Sequence, residues 1–126
     1  MRLLLDTHVF IWWLTDDRRL GRPAREALTD TASVVHVSAA TCWELAIKAS
    51  LGRLRLEGID LEEEIPANGF VELPMTARHA LRAGGLPKHH ADPFDRMLAA
   101  QAQLEELTLV THDRALARYG VEVLAT

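Results

Sequence analysis

A single cysteine, Cys42, is all that the 126 residues offer, which excludes an internal disulfide framework and a thiolate zinc cluster, since either needs at least two thiols. Lysine is nearly as scarce. Twelve arginines stand against Lys48 and Lys88 alone, and the excess of acidic residues leaves a formal charge of −4 and an isoelectric point near 5.8. Such a chain has no broad positive face for nucleic acid. Any nucleic-acid site must work locally, through metal ions and a few arginines, which are the better bidentate partners for phosphate. Long apolar runs are missing as well. The longest, Val9 to Leu14, falls far short of the roughly 20 residues that span a bilayer, and the run after Met1-Arg2 meets Asp6 too early for a signal-peptide core. The expectation is a soluble, cytoplasmic protein. A 48% hydrophobic content supports one core, and the length leaves no room for a second, so one domain is expected over residues 1–126.

What is there alternates. Five short apolar runs read as strands: Arg2 to Leu5, Val34 to Val37, Phe70 to Leu73, Leu107 to Thr111 and Val121 to Leu124. Helical patterns separate them. Parallel strands need crossover connections, so this alternation predicts an α/β fold in three layers, a parallel sheet covered on both faces. Ser38 is placed to cap a helix from Ala39 to about Leu51, with Gly52 ending it. Asp92-Pro93 opens another that runs to about Leu104. Thr76 to Ala83, ended by Gly84-Gly85, and Arg114 to Tyr119, ended by Gly120, read as shorter helices. The stretch Arg53 to Gly69, mixed and partly acidic, reads as a further helix.

Ligands of open α/β sheets bind outside the carboxyl ends of the strands, and four acids are placed there by position. Asp6 follows the first strand directly, and Asp113 follows the fourth after one residue. Glu44 lies in the second turn of the helix leaving strand two, about 8 Å along its axis. Asp95 lies in the first turn of the helix that enters strand four, which begins on the same rim. Two like charges about 4 Å apart repel by about 4 kcal/mol at an effective dielectric of about 20, so such a rim calls for a cation. All-oxygen ligation suits Mg²⁺ or Mn²⁺ rather than zinc. A site of that kind polarises a phosphoryl oxygen and activates water for in-line displacement.

Each residue also has a plainer explanation. Asp6 and Asp113 suit helix caps, Asp95 suits the third helical position of a capping box after Asp92, and Glu44 can pair with Lys48 four residues on. The apolar neighbours Trp43, Leu45, Ala46 and Ile47 weaken that last account. His89-His90 is more often a solvated loop pair than a functional one, and His8 and His112 are candidates for contacts to a ligand rather than ligands themselves. Glu62-Glu63-Glu64 reads as a solvated helix face, and Trp12-Trp13 as core or subunit interface.

Taken together, these segments resemble the PIN-domain nucleases, and among them the VapC-like toxins of bacterial toxin-antitoxin pairs. Leu3-Leu4-Leu5-Asp6-Thr7-His8 is similar to the family's opening strand and first acid. The stretch from Val37-Ser38 through Trp43-Glu44-Leu45-Ala46-Ile47-Lys48 to Leu51-Gly52-Arg53-Leu54 is similar to the second motif of one toxin subgroup. Leu86 to Ala102 is the most specific match, and Leu109-Val110-Thr111-His112-Asp113 the last. The resemblance implies metal coordination by Asp6, Glu44, Asp95 and Asp113, with a supporting hydroxyl from Thr111. It leaves Asp92 as a cap. It further implies a five-stranded parallel sheet of order 3-2-1-4-5, RNA as substrate, a homodimer, and inhibition by a cognate VapB-like antitoxin whose arginine enters the acidic site.

Three rival readings share the alternation. A phosphoacceptor receiver domain is expected to have adjacent acids after the first strand and a lysine near the last, whereas Asp6 stands alone and no lysine follows Lys88. An aspartyl-nucleophile phosphatase wants a second acid two residues after the first, and that position is His8. A catalytically silent RNA or protein binder on the same fold is opposed by the complete set of carboxylates.

Overall fold

The computed structural model describes residues 1–126, and in it the five apolar runs lie side by side in one sheet of order β3-β2-β1-β4-β5, every neighbouring pair parallel. The strands are β1 (Arg2–Leu5), β2 (Val34–Ser38), β3 (Val71–Leu73), β4 (Thr108–Thr111) and β5 (Val123–Ala125). The helices are α1 (Thr7–Leu14), α2 (Arg22–Thr29), α3 (Ala39–Ser50), α4 (Leu61–Ala67), α5 (Ala77–Gly85) and α6 (Pro93–Glu105), with a 3₁₀ helix at Arg114–Tyr119. β1 sits at the centre, with Leu3 paired to Val35 on one side and Thr108 on the other. Its leucines are wholly buried. Because successive side chains alternate between faces, Leu3 and Leu5 enter a core shared with α1, α2, α3 and α4, while Leu4 enters a second core with α5, α6 and the 3₁₀ helix. Burial on both faces explains why β1 reads as a continuous apolar run rather than an alternating one. This is the expected three-layer α/β/α arrangement. No helix is long and apolar enough to cross a membrane.

The expected punctuation holds at most boundaries. Ser38 Oγ accepts the Ala40 N–H, Asp92 Oδ1 accepts from Phe94 and Asp95, and Gly52 and Gly120 take the left-handed conformation. Several details differ. Gly84 and Gly85 do not end α5; the helix includes both and stops before Leu86, whose extended backbone is what the following Pro87 imposes. Leu107 is not the first residue of β4, because its N–H closes α6 on the carbonyl of Ala102. Val121 likewise lies before β5, buried just after the Gly120 turn. Of the stretch 53–69 only α4 is helical, capped by Asp60, and α2 is a further helix that opens at Gly21 with no side-chain cap.

Glu106 ends α6 with φ 56 and ψ 52, a left-handed conformation that suits glycine. A side chain there costs roughly 1 kcal/mol or more. Glu106→Gly is therefore expected to raise the urea midpoint by the equivalent of about 1 kcal/mol, with the slope of the transition unchanged.

Candidate active site

All four acids lie at the carboxyl edge of the sheet; Asp6, Asp95 and Asp113 stand at the starts of helices, and Glu44 in the second turn of one. Asp6 caps α1: its Oδ1 accepts the Val9 N–H at 2.8 Å, while Oδ2 accepts the hydroxyl hydrogen of Thr111. Thr111 Oγ1 in turn accepts the Asp113 N–H at 3.0 Å. One wholly buried hydroxyl thus ties the end of β1 to the turn after β4. Asp113 caps the 3₁₀ helix through Oδ1, at 3.0 Å from the Ala115 nitrogen, and turns Oδ2 towards His90 Nε2, also at 3.0 Å. The same Nε2 lies 3.3 Å from Asp95 Oδ2, so His90 stands between two of the acids. Asp95 does not complete a capping box. The backbone N–H of Asp92 is accepted by His90 Nδ1 instead, which leaves the Asp95 carboxyl facing the site.

Glu44 reaches the edge from the second turn of α3 and is only 6% exposed. Thr7 donates to its Oε1 at 2.7 Å, and Lys48 Nζ contacts Oε2 at 2.9 Å. The helix pair with Lys48 is real, but it does not sit on an exposed face, since the carboxylate is buried. The acids do not form one set of touching carboxylates. They are joined in sequence, Asp95 to Asp113 through His90, Asp113 to Asp6 through Thr111, and Glu44 to the first turn of α1 through Thr7.

The charge is not balanced within the chain. Burial pushes the Asp95 carboxyl up to about 7, and the negative charges of Asp92, Asp6 and Glu44 add to it against the opposing influence of His90. Burial also raises Asp6, against hydrogen bonds from Thr111 and Val9 and the neighbouring His8 and His112. Buried oxygen donors with too little positive charge around them match the demands of a hard divalent cation. The donor chemistry fits the metal that the sequence suggested.

Thr7 and His90 are where reading the sequence fell short. Thr7 is signalled in the sequence only by a hydroxyl one residue after the first acid. His89 and His90 look alike in the sequence, and the structure separates them: His89 packs on Tyr119 at 5.1 Å, away from the acids. His8 and His112 flank Asp6, with their rings 4.9 Å apart. Trp12 is buried in the core and Trp13 donates to Asn68, in line with a packing role.

The family model of the PIN domain matches residues 3–122. The chain belongs to the PIN-domain family. Among curated relatives, Ribonuclease VapC22 of Mycobacterium tuberculosis is 32% identical over 123 residues, covering 90% of this chain and 88% of the relative. Solved structures share the PIN fold over nearly the whole length. The VapBC2 complex of Rickettsia felis bound to a promoter DNA fragment superposes with a TM-score of 0.76 at 17% identity, covering 99% of this chain and 98% of that one. FitAcB of Neisseria gonorrhoeae gives 0.68 at 24% identity, covering 97% and 96%. At those identities the structural likeness concerns the fold.

Proposed function

We propose that this PIN-domain chain is a metal-dependent endoribonuclease toxin, with Asp6, Glu44, Asp95 and Asp113 as its Mg²⁺ or Mn²⁺ ligands and a VapB-like antitoxin as its inhibitor. What carries the reading is the gathering of these four acids, Asp6 and Glu44 among them buried, at the carboxyl edge of a chain 32% identical to a ribonuclease. The chemistry supplied by bound Mg²⁺ or Mn²⁺ is polarisation of a phosphoryl oxygen and activation of water. The chain's own residues set the donors. Thr111 fixes Asp6 and the Asp113 turn together, Thr7 orients Glu44, and His90 holds Asp95 against Asp113. Lys48 holds the second oxygen of Glu44. RNA as substrate agrees with a cytoplasmic site of action. The toxin-antitoxin and VapBC complexes among the structural relatives support the antitoxin as partner. An antitoxin arginine suits the same four acids, as a bidentate guanidinium.

The test is incubation with total cellular RNA and Mn²⁺, followed by mapping of new ends. Water attack leaves the ribose 2′-hydroxyl unused, so the expected products carry 5′-phosphate and 3′-hydroxyl termini, and EDTA stops their formation. Asp6→Asn, Glu44→Gln, Asp95→Asn and Asp113→Asn each lose most activity, whereas Asp92→Asn keeps it, because Asn caps a helix about as well as Asp. Cyclic-phosphate ends formed in EDTA would defeat the mechanism.

The homodimer implied by the resemblance has an apolar face available beside the site. Trp43 is 57% exposed, packs edge-on against Phe94 at 5.3 Å, and with Met75 and Met97 lines an apolar pocket of 170 Å³ between α3 and α6. Trp43→Ser is expected to shift sedimentation from two chains to one; unchanged sedimentation of a dimeric wild type would place the interface elsewhere.

A further inference from the structure

We propose that Asp6, His8 and His112 form a second cation site, of a different donor character from the carboxylate set, which takes a borderline divalent ion such as Zn²⁺. One carboxylate oxygen and one nitrogen from each imidazole lie within 4.8 Å of one another. His112 Nδ1 is already 3.7 Å from Asp6 Oδ2. Two ligand atoms on a four-coordinate zinc sit about 3.4 Å apart, so small side-chain rotations close the set. Those rotations start from a constrained arrangement. The two imidazoles meet edge to face, and the buried Trp12 ring backs both, at 6.0 Å from His8 and 5.3 Å from His112. His8 projects from the first turn of α1 and His112 follows β4, so the sheet edge itself brings them to either side of Asp6.

The donors discriminate between ions. Two imidazoles and one carboxylate suit zinc, cobalt or nickel, whereas magnesium prefers oxygen alone. Three protein ligands leave a position open to water. Asp6 cannot serve both sites freely. Its Oδ1 is committed to the Val9 N–H, so both cations would draw on Oδ2, the oxygen nearest His112 that already accepts from Thr111. Zinc held by the histidines therefore withdraws Asp6 from the carboxylate set, and the site is inhibitory. The inhibition rests on the ribonuclease reading; the binding does not.

The experiment is a titration of Zn²⁺ into the full metal-free chain against a chromophoric zinc indicator, in excess Mg²⁺, with RNA cleavage in Mn²⁺ followed in parallel. One zinc per chain is expected. His8→Ala and His112→Ala, both at exposed positions, each weaken it roughly 10- to 100-fold or more, since even an outer-shell partner costs that much. His90→Ala leaves it unchanged. Zinc abolishes cleavage over the range in which it binds, and in His112→Ala the inhibition moves to higher zinc by the same factor as the affinity. No retained zinc, or retention lost in His90→Ala but not in the His8 and His112 variants, overturns the site. Zinc bound with the expected variant pattern by a chain that cleaves no RNA with any metal upholds the site and sinks the ribonuclease reading.

Discussion

In metal-free solution at pH 8, Asp95→Asn is expected to be more stable than the wild type while losing its nuclease activity. The carboxyl of Asp95 stands at about 7 in the folded chain against 3.8 for a free side chain. At about 1.4 kcal/mol for each tenfold change in proton affinity, the ionised group costs the fold up to about 4 kcal/mol. The sign follows from the raised value. Folded protein binds this proton more tightly than unfolded protein does, so the cost is absent below pH 4, grows as the pH rises towards 7, and is complete above it. The amide cannot ionise and carries no such cost. Urea unfolding of both chains at pH 4, 6 and 8 measures the difference, which should open only between the first and last values. A gap that is constant with pH, or a variant less stable at pH 8, would mean that His90 and solvent already neutralise the site.

Divalent metal is expected to reverse that penalty. An ion that binds the folded carboxylates and not the unfolded chain stabilises by about 2.7 kcal/mol at one hundred times its dissociation constant. For a chain of this size that corresponds to a rise in melting temperature of about 10 °C. The rise should be larger at pH 8 than at pH 5, because at the lower pH the proton on Asp95 must first be displaced. Asp6→Asn combined with Asp113→Asn should abolish it. A shift that survives the double variant would put the ion elsewhere, and no shift in the wild type at saturating Mn²⁺ would remove the basis for a metal nuclease.

Local chemistry was legible in the sequence wherever one residue decides the backbone. Ser38, Asp92, Gly52 and Gly120 act as their types suggest, and the apolar run of β1 follows from burial on both faces. The misreadings arose where two local rules competed. At Gly84-Gly85 a helix stop was available and unused, because Pro87 stops the chain just beyond it. At Leu107 an apolar side chain that continues the run of β4 belongs to a residue whose N–H serves the preceding helix. Helix α2, eight residues capped by Gly21 without a side-chain bond, carries a weak starting signal. For the acids, cap and functional roles looked like alternatives. The structure shows them to be compatible, since a carboxylate has two oxygens: Asp6 and Asp113 each give one to a helix and turn the other to the site. What no local pattern contains is which imidazole meets which acid. His90 faces Asp113 across 23 residues of chain and His89 does not, a difference set only by how the loop before α6 packs.

The hydroxyl contact between Thr111 and Asp6 joins residues 105 positions apart. Contacts of such long range form late, after the entropy of closing the intervening chain has been met. During synthesis the consequence is a matter of timing. β1 leaves the ribosome well before β4, so a growing chain carries Asp6 and Glu44 before Asp95, Thr111 or Asp113 has been added. At about 5–20 residues per second, that is an interval of seconds in which the protein is present and its acidic edge is not. An inhibitor made alongside it has that interval to accumulate before there is anything to inhibit.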